Sequence, residues 1–385
     1  MDIFSEDKQY IANTYKRFPL AIKSGNGSIL VDIDGKEYID LSSGIAVNIL
    51  GACDTQWQQA VTEQMNRIAH TSNLYYTEPQ VKLAELLCKK TGMKKVFFGN
   101  SGAEANECAI KTARKYSLDK YGAGRSKIVT LKHGFHGRTM ATLSATGQDV
   151  MHQYFDPFLD GFDYAEPNDI EDTLAKMTDD CAAVMMELIQ GEGGVNVLEK
   201  EYVKAIAQEC EQRDILLVID EVQTGNGRTG KMYCYEHYDI KPDIVTTAKG
   251  IGGGLPIGAV LFGEKTENTL TYGVHGSTFG GNPICAAGAV SVVERLDEKL
   301  FDEVTKKGEY VKAELSKLPK VKAVSGMGLM IGIETEIPAA DVASKCLEKG
   351  LMVLTAKEKV RLLPALNIPF ELLEKAISVL SEVLD

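Results

Sequence analysis

The chain has 385 residues, with 42 lysines and arginines against 54 aspartates and glutamates, for a formal net charge of −12. That acidic balance excludes a phosphate-neutralising nucleic-acid binder and a protein held to an anionic membrane surface. A hydrophobic content of 44% with 25% charged residues excludes a wholly disordered chain.

At about 150 residues per domain the length allows two to three domains. No run approaches the roughly 18 apolar residues that span a bilayer. The N-terminal MDIFSEDKQY is polar and acidic, unlike a secretory leader. Eight cysteines are scattered without a C-x-x-C pair. They read as reduced thiols of a cytoplasmic protein, with Cys108 and Cys181 as small core residues and no zinc site expected.

The first 45 residues carry short strand-like pieces: Ser28 to Ile33, the Asp34-Gly35 turn, then Glu37 to Leu41. From about residue 55 helices alternate with apolar strands. Trp57, Ala60, Val61, Met65 and Ile68 fall on one helical face. Val96 to Phe98 is a strand, followed by a helix over Ala103 to Tyr116. Short apolar runs follow at Ile128 to Leu131, Ala182 to Met186, Ile215 to Ile219, Asp243 to Thr247 and Ala259 to Phe262. Such runs suit strands buried on both faces, and Tyr202 to Gln212 supplies a crossover helix. The fold class is therefore α/β, with a large domain over 55–286 built on a mostly parallel sheet. Helices at Leu300 to Leu315, Pro338 to Lys349 and Glu371 to Leu384, with strands near Leu329 to Ile333 and Val360 to Leu363, predict a smaller α+β domain. It is assigned residues 1–54 and 287–385.

Gly225-Asn226-Gly227-Arg228-Thr229-Gly230 is a literal G-x-G-x-x-G after a strand. A dinucleotide fold needs its first glycine at the strand end and a helix directly after. Here Asp220 to Thr224 intervene and no helix start is evident, so tight backbone turns are the better reading. Asp220 directly follows an apolar strand, where open α/β sheets bind ligands, although a lone strand-end aspartate is more often a cap or an ion pair. Lys249 also follows an apolar strand and precedes Gly250 and Gly252 to Gly254. A lysine desolvated there becomes a usable nucleophile; a solvated loop lysine is the plain alternative. Gly99 to Glu104 opens a helix after a strand, so its free N–H groups suit a phosphate, unless Ser101 merely caps its own helix. In His133-Gly134-Phe135-His136-Gly137-Arg138, Phe135 can offer a flat ring and Arg138 a fork for a carboxylate. Two histidines without further ligands make a poor metal site. Together, these parts suit a phosphorylated pyridine aldehyde.

The segments FFGNSGAEANE (97–107), HGFHGRT (133–139), IQGEGGV (189–195), IDEVQTGNGRTG (219–230), TTAKGIGGGLPIGA (246–259), HGSTFGGNP (275–283) and VRLLPALN (360–367) occur in this order. Through them the chain resembles the class III, fold-type I pyridoxal-phosphate aminotransferases over nearly its whole length.

The resemblance implies pyridoxal 5'-phosphate as cofactor and Lys249 as its Schiff-base lysine. It implies Asp220 at the pyridine nitrogen, Gln223 near the ring hydroxyl and Phe135 as the stacking ring. Ser101, Gly102 and Ala103 form the phosphate loop, and Glu221 and Val222 are further cofactor contacts. Thr278 is implied as a phosphate ligand given across a homodimer with shared active sites. Arg138 and Ser277 are the implied donor contacts. Arg361 takes the α-carboxylate of glutamate, and Glu192 pairs with Arg361 between half-reactions. The implied reaction moves the δ-amino group of N2-acetyl-L-ornithine to 2-oxoglutarate, a step of arginine biosynthesis. Ornithine or succinylornithine as donor, a same-fold aminomutase, and a binding module without turnover are the alternatives. Two departures stand out: Gly51 to Thr55 replaces the usual Gly-His-x-His-Pro, and Glu187-Leu188 replaces Glu-Pro.

Overall fold

A seven-stranded sheet positions everything that follows. In this computed structural model, which describes residues 2–385, its strand order is Lys95–Gly99, Gly258–Phe262, Ile244–Thr247, Leu216–Asp220, Cys181–Met186, Lys127–Leu131 and Phe162–Ala165. Only Gly258–Phe262 runs antiparallel to its neighbours. The apolar runs are buried because helices cover both faces: every residue of Cys181–Met186, Leu216–Asp220 and Ile244–Thr247 is buried. The parallel strands therefore all end at one edge, and Gly258–Phe262 begins there.

Helix Gly102–Tyr121 runs 20 residues across one face and packs Ala105, Cys108, Ala109 and Ala113 against the sheet. Small side chains let it lie close. Its opposite face is covered by Lys200–Arg213 and the apolar helix Pro283–Val293, which is clasped by Thr55–Arg67 and Glu78–Thr91. Gly288 makes that clasp tight, since a Cβ there would meet Trp57 Nε1 at 2.9 Å.

Two four-stranded sheets build most of the rest. Ile22–Asn26, Ile29–Asp32 and Glu37–Asp40 form an antiparallel meander that Leu351–Met352 joins in parallel, pairing Leu351 with Ile39. Val321–Met327, Met330–Thr335, Lys359–Leu362 and Leu354–Ala356 form the other sheet, backed by helices Glu298–Leu315, Ala339–Glu348 and Phe370–Leu384.

Three expectations need adjusting, and one helix lies outside them. The 286/287 boundary falls within helix Pro283–Val293, whose packing partners precede it in the chain. On helix Thr55–Arg67 the apolar stripe is only half covered: Trp57, Ala60 and Val61 face the neighbouring helix, whereas Met65 and Ile68 stay exposed and Gln64 is buried. The helix after Lys95–Gly99 continues to Tyr121, because Gly122 is the first residue that stops it. Helix Ile3–Tyr10, capped by Asp2 and with no buried residue, gave no periodic signal.

Candidate active site

A cavity of about 470 Å³ opens where the strands of the large sheet end. Asp220 is the last residue of its strand and is 3% exposed. Its Oδ2 accepts from Asn106 Nδ2 at 2.7 Å and from the His136 ring Nδ1 at 2.8 Å. Its Oδ1 accepts from the Val222 N–H at 3.0 Å. Burial alone would depress the His136 imidazole, but the Asp220 carboxylate, helped by Glu187, outweighs burial and its pKa stands above the ordinary histidine value.

One strand over, Ala248 and Lys249 leave Ile244–Thr247, and Lys249 takes a positive φ of 48° at the start of a short helical turn. That turn is held from behind. Asn226 Nδ2 donates to Thr247 Oγ1 (2.9 Å) and the Ala248 carbonyl (3.3 Å), and Trp57 Nε1 donates to the Gly252 carbonyl (3.0 Å). Burial pulls the Lys249 ammonium below the usual lysine range, against the pull of Glu192. The fall favours a free amine facing the cavity.

Helix Gly102–Tyr121 points its first turn into the same cavity, through Ser101, Gly102 and Ala103. Ser101 Oγ does cap the helix, accepting from the Glu104 N–H at 3.2 Å. This leaves the remaining first-turn N–H groups for an anion. Glycine is required at 102, because a Cβ would sit 2.7 Å from Val222 Cγ1.

Phe135 and Arg138 line the opposite wall, the guanidinium 5.7 Å from the ring centroid. The Phe135 N–H is gripped by Glu187 Oε1 (2.8 Å), while Glu187 Oε2 accepts from the Gly191 N–H (3.2 Å). Burial, with Asp220 nearby, pushes the Glu187 carboxyl up to about 7.

Gln223 connects the cavity to a buried ion pair. Arg361 Nη1 lies 2.6 Å from Glu192 Oε1 and 3.0 Å from Gln223 Oε1, and Gln223 Nε2 reaches Glu192 Oε1 at 3.3 Å. Arg361 is 2% exposed, and its buried charge is balanced by Glu192, whose side chain is partly exposed.

The structure thus brings together Ser101, Gly102, Ala103, Phe135, Arg138, Asp220, Val222, Gln223 and Lys249. Glu192 and Arg361 stand behind Gln223. Three expected residues do not line the cavity within this single chain. The Glu221 side chain turns away, accepting from Thr224 Oγ1 (2.5 Å) and the Tyr235 N–H (2.9 Å). Ser277 Oγ is taken by Asn100 Nδ2 (3.1 Å) and the Gly280 N–H (3.0 Å), and Thr278 is exposed. Conversely, Asn106, His136 and Glu187 line the cavity but were not singled out as site residues. A buried amide inside a helix and a buried carboxyl just past a strand were the available signals.

Residues 10–384 match the family described as Aminotransferase class-III. The acetylornithine aminotransferase of Haemophilus ducreyi is 51% identical over 381 residues, covering 98% of this chain and 97% of that protein. Among solved structures, an ornithine aminotransferase from Toxoplasma gondii, whose description reports partial occupancy of PLP at its active site, superposes with a TM-score of 0.94. It is 32% identical, and the match covers 99% of this chain and 93% of that one. N-acetylornithine aminotransferase from Stenotrophomonas maltophilia superposes at 0.86, with 34% identity over 99% and 98% of the two chains.

Proposed function

As this chain belongs to the class-III aminotransferases, which work with pyridoxal phosphate, we propose that it moves the δ-amino group of N2-acetyl-L-ornithine to 2-oxoglutarate. The products are N-acetyl-L-glutamate 5-semialdehyde and glutamate. The residues present fit the cofactor: a helix start narrowed by Gly102 for its phosphate, a buried acceptor at Asp220 and an inward lysine. When bound, the cofactor supplies an electron sink for the carbanion at the reacting carbon.

The chain's own groups do the rest. Asp220, fixed by three donors, would offer its negative charge to the ring nitrogen and favour its protonated form. Ser101, Gly102 and Ala103 would hold the phosphate, Phe135 and Val222 would offer apolar surface to the ring, and Gln223 would lie within reach of its polar edge. Lys249, whose ammonium is disfavoured by burial, takes a proton from the substrate carbon and returns it as the amine changes owner. Arg138 receives the carboxylate of the acylated donor. Glu192 neutralises Arg361 while that donor reacts. For glutamate the pair opens, and Arg361 forks the α-carboxylate.

The observation that carries this reading is the convergence of Asp220, Lys249 and the helix start on one cavity, with the Glu192–Arg361 pair at its back. The high identity to an acetylornithine enzyme carries the choice of donor. Close superposition on an ornithine enzyme favours free ornithine as the second candidate. We further read the enzyme as a cytoplasmic homodimer. Thr278 is exposed, as are Leu74, Tyr76, Tyr272 and Phe279, and a second copy would cover them. No described helix is long and apolar enough to cross a membrane.

An amino-donor panel with 2-oxoglutarate tests the proposal. The expected order is acetylornithine first, succinylornithine and ornithine behind it, with no turnover unless an oxo acid is added. Preference for free ornithine would overturn the donor assignment. Turnover without an oxo acid would point to an aminomutase.

A further inference from the structure

Arg228, the fourth residue of the G-x-G-x-x-G loop, is fully buried and has no carboxylate partner among the described residues. Its Nη1 donates to two carbonyls, Leu329 (3.0 Å) and Pro364 (2.5 Å), while Nε and Nη2 have no hydrogen-bond partner. Burial pulls the guanidinium below the usual arginine range, to about 9, which still leaves it cationic at neutral pH. A dry, half-satisfied cation is costly. An apolar side chain would fill the space at less expense, so what the arginine adds is its reach to two carbonyls at once.

One carbonyl precedes the strand beside Arg361 and the other follows Arg361's own strand. Leu329 leads into Met330–Thr335, where Gly332 pairs with Arg361, and Pro364 lies three residues beyond Arg361, just past the end of Lys359–Leu362. The Leu329 N–H returns a bond to the Arg228 carbonyl at 3.0 Å. At the loop's other end Asn226 grips Thr247 and Ala248, immediately before Lys249. Between them Gly227, at φ 89°, leaves no room for a Cβ, which would lie 2.9 Å from Leu366 Cδ1. The loop is therefore anchored on the lysine side by Asn226 and on the Arg361 side by Arg228.

We propose that Arg228 is a positioning residue for the dicarboxylate substrate: through Leu329 and Pro364 it sets where Arg361 stands relative to Lys249. This rests on the reading of Arg361 as the α-carboxylate site. It predicts an asymmetric effect, because the Arg138 loop, assigned to the acylated donor, makes no hydrogen bond with Arg228.

The test uses the holoenzyme and glutarate, a dicarboxylate that cannot transaminate, with affinity read by titration calorimetry. Arg228→Met, close in length and apolar, should fold, because removing an unpaired buried cation is often neutral or better. It should weaken glutarate about tenfold, the scale of a sub-ångström misplacement, and Arg228→Lys should fall between. Single-turnover rates with acetylornithine should stay within about twofold. Gly328→Ala offers a second route, since its Cβ would press within 2.7 Å of the Arg228 carbonyl oxygen while keeping every polar group; the same selective loss is expected. Unchanged glutarate affinity in folded Arg228→Met or Gly328→Ala, or equal losses on both substrates, overturns the proposal. Arg361→Ala is the control. If it too leaves glutarate affinity unchanged, the reading of Arg361 fails and takes the proposal with it, whereas sensitivity to Arg361→Ala alone overturns the proposal and spares the reading.

Discussion

Replacing Asp220 by asparagine isolates the charge of the buried carboxylate from its shape. Three donors converge on it: Asn106 Nδ2 at 2.7 Å, His136 Nδ1 at 2.8 Å and the Val222 N–H at 3.0 Å. Asparagine keeps one acceptor oxygen and turns the other position into a donor that meets Asn106 and His136. The fold should survive, since relieving a buried charge offsets the lost hydrogen bonds, with stability changing by about 2 kcal/mol or less. Catalysis should not survive so well. Removing one preorganised group at the point of charge development costs roughly 10²–10³-fold, or about 3–4 kcal/mol. Single-turnover spectra of the bound cofactor with glutamate measure it.

A second readout accompanies the first. His136 owes its raised pKa to Asp220, against burial. In the wild type this pair's contribution to stability is therefore complete below about pH 6.5 and fades as pH rises through the raised value. In Asp220→Asn only the weaker pull of Glu187 is left to oppose burial, so the His136 titration, followed by NMR, should move to lower pH. Turnover within about threefold of wild type would refute the charge argument, and so would an unmoved His136.

Other consequences are sharper in one assay each. Glu221 is buried with its carboxyl pushed up to about 7, above its unfolded value, so the native state binds the extra proton and stability should fall as pH rises from about 4.5 towards 7. Glu221→Gln should flatten that slope in pH-dependent thermal melts; an identical slope contradicts the assignment. Arg361→Ala should impair the glutamate half-reaction more than the acetylornithine half-reaction, by about 10–100-fold in ratio for a lost charge-assisted fork. Equal impairment in single-turnover measurements would remove the Glu192–Arg361 switch. Thr278→Ala should weaken cofactor retention in the dimer although Thr278 is exposed in the single chain. Unchanged cofactor affinity on dialysis would remove the shared-site reading.

Much of the large sheet was legible because its physics is local. A strand buried on both faces must be largely apolar, so Leu216–Asp220 and Ile244–Thr247 announce themselves, and the first charged residues met along them, Asp220 at the end of one and Lys249 two residues past the other, fall at the ligand edge. Edge strands are less visible. Phe162–Ala165 leaves Phe162, Asp163 and Tyr164 only half-buried, and Val321–Met327 is interrupted by Lys322, Ser325 and a bulge. Ser43, Gly44, Ile45 and Ala46 all take positive φ, a left-handed turn that only Gly44 favours intrinsically. The turn persists because Asp40 Oδ1 accepts from the Ser42 N–H and Oγ and the Ser43 N–H, and because Ser43 Oγ reaches the Leu363 carbonyl. That restraint joins residues some 320 positions apart, which no local pattern encodes. The same holds for Asn106 and His136. Each reads locally as a helix or loop residue, and only the packed fold turns both onto Asp220.

Lys249, one strand from Asp220, is the lysine proposed to hold the cofactor. Borohydride reduction of the yellow holoenzyme, followed by peptide mass spectrometry, tests that assignment most directly. The account predicts a single phosphopyridoxyl adduct on Lys249 and a reduced protein without transaminase activity. An adduct on any other lysine, or full activity after reduction, would contradict it.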